Sequence, residues 1–80
     1  MPTEPLLIDA RGLRCPLPVL KMEKQLADLS AGATLTVLAT DPMARIDIPL
    51  YCRQHGHSVE IAPDDAATRF TIRKNGALPS

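Results

Sequence analysis

The chain is poor in aromatic residues, with one Tyr, one Phe and no Trp in 80 residues. Single-stranded nucleic acids are held on stacking platforms of aromatic faces, so that mode of recognition is disfavoured. There is no charge excess either: nine Lys+Arg balance nine Asp+Glu. Nucleic-acid binders usually leave a basic surplus, so direct nucleic-acid binding is not expected. No apolar run approaches the length of a membrane span. The opening Met1-Pro2-Thr3-Glu4-Pro5 lacks both a positive segment and an apolar segment, so no signal peptide is read. The expected compartment is the cytoplasm, where thiols stay reduced. The two cysteines, Cys15 and Cys52, form no Cys-x-x-Cys pair. A structural disulfide and a dithiol redox motif are both disfavoured.

A chain this short fits one domain with a modest core and little room for a deep pocket. A carrier, a binding module or a surface-acting enzyme is favoured on those grounds.

Periodicity supplies the elements. Leu6-Leu7-Ile8 reads as a first strand ending near Asp9. Arg11–Arg14 is a connecting loop in which Gly12 is free to take a positive φ. Cys15-Pro16-Leu17-Pro18 opens a helix, because proline is tolerated in the first turn. Val19, Met22, Leu26 and Leu29 give it one apolar stripe, and Gly32 marks a stop. Thr34–Thr40 alternates as a second strand, with Leu35, Val37 and Ala39 on one face. Asp41-Pro42 is a break. The second helix is expected to start with Asp47 as N-cap after a turn over Met43–Ile46, which keeps Pro49 in its first turn. Ile48, Tyr51, Cys52 and His55 share a face, and Gly56 ends the helix. Ser58–Ala62 reads as a third strand, Pro63-Asp64-Asp65 as a turn, Arg69–Lys74 as a fourth strand and Asn75–Ser80 as a loose tail. The order β-α-β-α-β-β predicts an α/β (α+β) two-layer sandwich: a four-stranded mixed sheet with two helices on one face. The expected domain is residues 5–75.

Cys15 carries the chemistry. It stands where a loop meets a helix N-terminus, whose free N–H groups and dipole favour an anion. Its pKa is therefore expected to be depressed, with Arg11 and Arg14 adding to the effect. Pro16 and Pro18 stiffen the turn and aim the thiol outward. A lone exposed thiolate without a resolving cysteine suits sulfur relay. It attacks the terminal sulfur of a donor persulfide, becomes Cys–S–SH, and is attacked in turn by an acceptor thiolate. Hydrolysis would need a His base, and nothing in the sequence places His55 or His57 near Cys15.

Asp9-Ala10-Arg11-Gly12-Leu13-Arg14-Cys15-Pro16-Leu17-Pro18 resembles the signature of the TusA-like (SirA-like) sulfur-carrier family, in which a strand runs into Gly-x-x-Cys-Pro-x-Pro. Asp41-Pro42, Asp47-Ile48-Pro49, Cys52 and Gly56-His57 extend the resemblance from Leu6 to Lys74. It implies a β-α-β-α-β-β sandwich like the C-terminal domain of bacterial translation initiation factor three. It also implies a sulfurtransferase activity with a persulfide on Cys15. The partners implied are a sulfur donor protein, a cysteine desulfurase or a rhodanese, and an acceptor sulfur-relay protein. No cofactor and no metal is implied. Members serve transfer-RNA thiolation, molybdenum-cofactor sulfur supply or sulfur oxidation, and the motif does not separate these. The chain ends Asn75-Gly76-Ala77-Leu78-Pro79-Ser80, which differs from the Gly-Gly terminus of ubiquitin-like sulfur carriers.

Gly12, Arg14, Pro16 and Pro18 are thus expected to support the thiol. Leu17, with its flanking prolines, and Arg11 and Lys21 are candidates for partner docking, as are Lys24, Arg45 and Arg53. Cys52 is expected to be a buried structural thiol. Cys52, His55 and His57 lack the spacing of a standard zinc site. Two other functions compete. One is an RNA-binding or regulatory module, on fold analogy alone. The other is a redox sensor, which lacks an obvious resolving cysteine.

Overall fold

The computed structural model describes residues 6–74. The expected domain ends, Pro5 and Asn75, and the expected tail lie outside the described residues. The elements are β1 (Leu6–Ala10), α1 (Leu17–Ala27), β2 (Thr34–Ala39), α2 (Ala44–Gln54), β3 (Ser58–Asp64) and β4 (Ala67–Arg73). The strands form one sheet in the order β1-β2-β4-β3. β1 and β2 run parallel, with Ile8 opposite Val37, as a strand-helix-strand crossover allows. β2 and β4 are antiparallel, with Val37 opposite Phe70, and β3 and β4 form an antiparallel hairpin.

Alternation decides which sheet face is covered. Leu35, Val37 and Ala39 of β2 and Phe70 and Ile72 of β4 are buried, and they meet Met22 and Leu26 of α1 and Ala44, Ile48 and Cys52 of α2 in one cluster. Both helices therefore close the same face. The α1 stripe packs as expected, with Pro18 added to it: Pro18, Met22 and Leu26 are buried, and Val19 and Leu29 lie at its margin. At its C-terminal end, Lys74 Nζ donates to the carbonyls of Leu26 and Leu29, both at 2.6 Å. A cation there satisfies carbonyls that the helix leaves free and complements its dipole.

Helix α1 begins at Leu17, two residues after the expected Cys15, and β4 at Ala67, two before the expected Arg69; two further boundaries differ for reasons of packing. Helix α2 begins at Ala44, so Pro49 lies in its interior and Asp47 is not its N-cap. The early start places Ala44, Ile48 and Cys52 four residues apart on the core. That burial outweighs the loss of the hydrogen bond to the Arg45 carbonyl that Pro49 cannot make. Strand β3 runs on through Pro63 and Asp64, which were read as a turn. It is an edge strand, where a missing N–H is tolerated. The turn shrinks to Asp65-Ala66, with Asp65 at φ 55, a left-handed conformation that Asp adopts more readily than most residues. Ile61, on this edge, is half exposed.

Candidate functional site

The loop from β1 to α1 is tied to the residues that follow β2 at two points, Gly12 and Cys15 itself. The Leu13 N–H donates to the Ala10 carbonyl at 3.1 Å, closing a tight turn. Gly12 sits in that turn at φ +83, as its place in the motif predicted, and its N–H donates to Thr40 Oγ1 at 2.9 Å. The Cys15 N–H donates to the Asp41 carboxylate. The Cys15–Pro16 peptide bond is cis. Helix α1 then opens on Leu17, whose N–H donates to the Arg14 carbonyl at 2.7 Å.

Asp41 also organises the other side of the site. Its Oδ1 accepts from the Met43 N–H at 3.2 Å, and its backbone carbonyl accepts from the Ala44 N–H at 3.0 Å. A single side chain thus holds the turn that leads into α2 and anchors the backbone of Cys15. With α2 starting at Ala44, Asp47 falls in its first turn, beside the loop. Asp47 Oδ2 is 2.7 Å from Cys15 Sγ.

These contacts reverse one expectation. The Cys15 thiol is exposed, as predicted, but its pKa is raised above the ordinary 9.0, not depressed. The largest cause is the hydrogen bond to Asp47, followed by desolvation and then the negative charges of Asp47 and Asp41. The α1 dipole does not lower the pKa, because α1 begins two residues after Cys15 and a carboxylate already occupies the Cys15 N–H. Nor does Arg11, which is engaged elsewhere. Its Nε is 2.8 Å from Asp9 Oδ1. That hydrogen bond holds the Asp9 carboxyl at about 2, below the usual 3.8. The Arg14 guanidinium makes no ion pair among the described residues.

The other predicted site residues divide. Gly12, Arg14 and Cys15 come together, and with Thr40, Asp41 and Pro42 they line an open depression beside the thiol. Pro16 and Leu17 are exposed, Leu17 by 48%. Pro18 is buried on the core side of α1, so it supports the turn from within and is no part of an exposed rim. Lys21 is exposed one turn after Leu17 on α1, and Arg11 is exposed on its loop.

Sequence reasoning missed Asp41 and Asp47 as members of the site, having read one as a chain break and the other as a cap. It also missed the apolar surface around them. Met43 at the N-cap of α2 and Ile46 and Leu50 within it are exposed, Ile46 by 59%, and Leu20 of α1 is half exposed. The signal was present in the spacing. Ala44, Ile48 and Cys52 already fill the buried face of α2, so Met43, Ile46 and Leu50 at i, i+3 and i+7 form a second stripe that the core cannot use.

Cys52 is buried, as expected, and burial pushes its thiol up to about 11. Tyr51 and His55 stack at 4.0 Å between ring centroids, with His57 6.3 Å from each. Among the described residues no three His, Cys, Asp or Glu side chains come together in a metal-holding group. No helix among them is long and apolar enough to cross a membrane.

This arrangement matches known proteins closely. The family model described as Sulfurtransferase TusA matches residues 7–74. A sulfur carrier protein TusA of Pseudomonas putida is 42% identical over 73 residues, covering 90% of this chain and 91% of the relative. One from Pseudomonas entomophila is 44% identical over 68 residues, covering 84% and 85%. The crystal structure of a SirA-like protein from Desulfitobacterium hafniense superposes with a TM-score of 0.80 at 32% identity, covering 88% of this chain and 97% of that one. By its sequence over nearly its whole described length and by its fold, the chain belongs to the TusA sulfurtransferase family.

Proposed function

We propose that this protein is a sulfur carrier that holds one sulfur atom as a persulfide on Cys15 and relays it between proteins. The observation that carries the reading is the contrast between the two cysteines. Cys15 is exposed on a loop pinned to the end of β2 by Thr40 and Asp41, while Cys52 is sealed in the core. Only Cys15 presents a sulfur that two different partners can reach in turn.

In loading, Cys15 Sγ attacks the terminal sulfur of a donor persulfide. The bond between that sulfur and the donor sulfur breaks, the electron pair leaves with the donor, and the donor thiolate takes up a proton. Delivery repeats the exchange with an acceptor thiolate as nucleophile. One S–S bond replaces another, so no oxidant or cofactor is consumed. The donor is a cysteine desulfurase or a rhodanese, the acceptor is another sulfur-relay protein, and the exchange takes place in the cytoplasm. Gly12 and Pro18 hold the loop, Pro16 and Arg14 flank the sulfur, and Leu17, Arg11 and Lys21 lie on the surface where a partner docks. No observation favours an RNA-binding role.

Incubation with a cysteine desulfurase and cysteine, or with a persulfidated rhodanese, followed by intact mass measurement, tests the reading. The mass gains one sulfur, loses it on reduction, and is unchanged in Cys15→Ser. A sulfur adduct that persists in Cys15→Ser refutes the assignment.

A further inference from the structure

The site places a carboxylate against the reacting atom itself. Asp47 Oδ2 lies 2.7 Å from Cys15 Sγ, where a Cys15 thiol donates to the carboxylate. The other charges near the sulfur do not offset it. From the loop before α2 comes a second carboxylate, Asp41, on the Cys15 N–H. From the thiol's own loop, Arg11 is paired with Asp9, and Arg14 lines the depression with no ion partner among the described residues. Lys21 of α1 makes no ion pair among the described residues. A protein whose task is to expose a nucleophilic sulfur has surrounded it with negative charge.

We propose that Asp47 is a brake on the carried sulfur: its charge opposes negative charge on Sγ, so the resting protein presents a thiol and the loaded protein surrenders its sulfur slowly to small thiols. The inference rests on the reading of Cys15 as the sulfur-bearing residue. In release, an attacking thiolate bonds to the terminal sulfur, the bond from that sulfur to Sγ breaks, and the electron pair stays on Sγ. Sγ then takes from solvent a proton equivalent to the one the attacking thiol gave up. The electron pair arrives where Asp47 stands, and a thiolate that forms less readily is a poorer leaving group. Casual thiols therefore remove the cargo slowly, which lets it last until a docked acceptor arrives.

The test compares wild type with Asp47→Asn, which keeps the shape and removes the charge, and Asp47→Glu, which keeps the charge. The first readout is the pH profile of Cys15 alkylation by iodoacetamide, located by peptide mass. The second is the loss of sulfur from preloaded protein to β-mercaptoethanol, an uncharged thiol. Asp47→Asn moves the alkylation profile to lower pH, speeds alkylation about fivefold near pH 7.5, and loses sulfur several-fold faster, while Asp47→Glu stays near wild type. An alkylation profile in Asp47→Asn that is unchanged or moved to higher pH overturns the proposal. So does a shifted profile with unchanged sulfur loss. Failure of the carrier reading shows separately, as wild-type protein that alkylates at Cys15 yet gains no sulfur from its donor.

Discussion

The backbone N–H of Cys15 and the side chain of Asp41, which stand 26 residues apart, are joined by a hydrogen bond across the site. The same carboxylate receives the Met43 N–H at the entry to α2. Removing it frees two backbone donors at once, one at each wall of the site. Asp41→Ala should cost about 1 kcal/mol of stability, the usual net worth of a lost hydrogen bond. It should also loosen the Cys15 loop. Urea denaturation gives the first quantity, and amide hydrogen exchange at Cys15 gives the second. Unchanged exchange at Cys15 would show that Thr40 and the turn hold the loop without Asp41.

Local periodicity made most of the fold legible. Leu35, Val37 and Ala39, then Phe70 and Ile72, alternate into the core as written, and Met22 and Leu26 carry the α1 stripe. The exposed thiol was legible too, from its place where a loop meets a proline-stiffened helix start, although α1 begins two residues later than that reading had it. What could not be read were effects that depend on distant residues. Pro49 signalled a late start for α2, yet burial of Ala44 against the sheet settled an early one. The sign of the Cys15 pKa shift was missed because its causes sit 26 and 32 positions away, in Asp41 and Asp47. Nearby arginines were visible in sequence, whereas the Asp9 carboxylate that engages Arg11 acts through geometry.

Gly12 isolates a purely conformational effect. At φ +83 it occupies backbone space that other residues enter only with strain, while a Cβ there would meet nothing within 4 Å. Gly12→Ala should therefore lower stability by about 1–2 kcal/mol through the backbone alone. Gly12→Asn should cost less, because Asn tolerates the left-handed region better. Equal losses in the two variants, measured by urea denaturation, would indicate a steric cause instead.

Leu17 and Ile46 stand exposed on the two helices whose first turns border the thiol. Two apolar side chains kept out of the core beside a reactive sulfur fit the centre of a partner's footprint. Leu17→Gln and Ile46→Gln, which add no charge beside the thiol, should each slow sulfur transfer from the donor protein about tenfold, a loss on the scale of one well-packed contact. Neither should change the rate of Cys15 alkylation by iodoacetamide. Transfer kinetics that stay at the wild-type value would remove that side chain from the docking surface.

Cys52 sets a limit on alkaline stability. Burial raises its thiol from 9.0 to about 11 in the folded protein, whereas in the unfolded chain it ionises near the ordinary value. A folded pKa above the unfolded one contributes stability that is fully present below about pH 9. That contribution is lost as pH rises toward about 11, because the unfolded state sheds its proton first. Tyr51, raised mainly by desolvation, and Cys15, raised mainly by its hydrogen bond to Asp47, act in the same direction. The free energy of unfolding should therefore fall between about pH 9 and about pH 11. Cys52→Ala should start lower, since it leaves a small void in the core, but should decline less steeply because one ionising group is gone. Parallel declines in the two proteins, measured by urea denaturation at each pH, would mean that the buried thiol does not drive the alkaline loss. The fall would then belong to the tyrosine and to the sulfur at the surface.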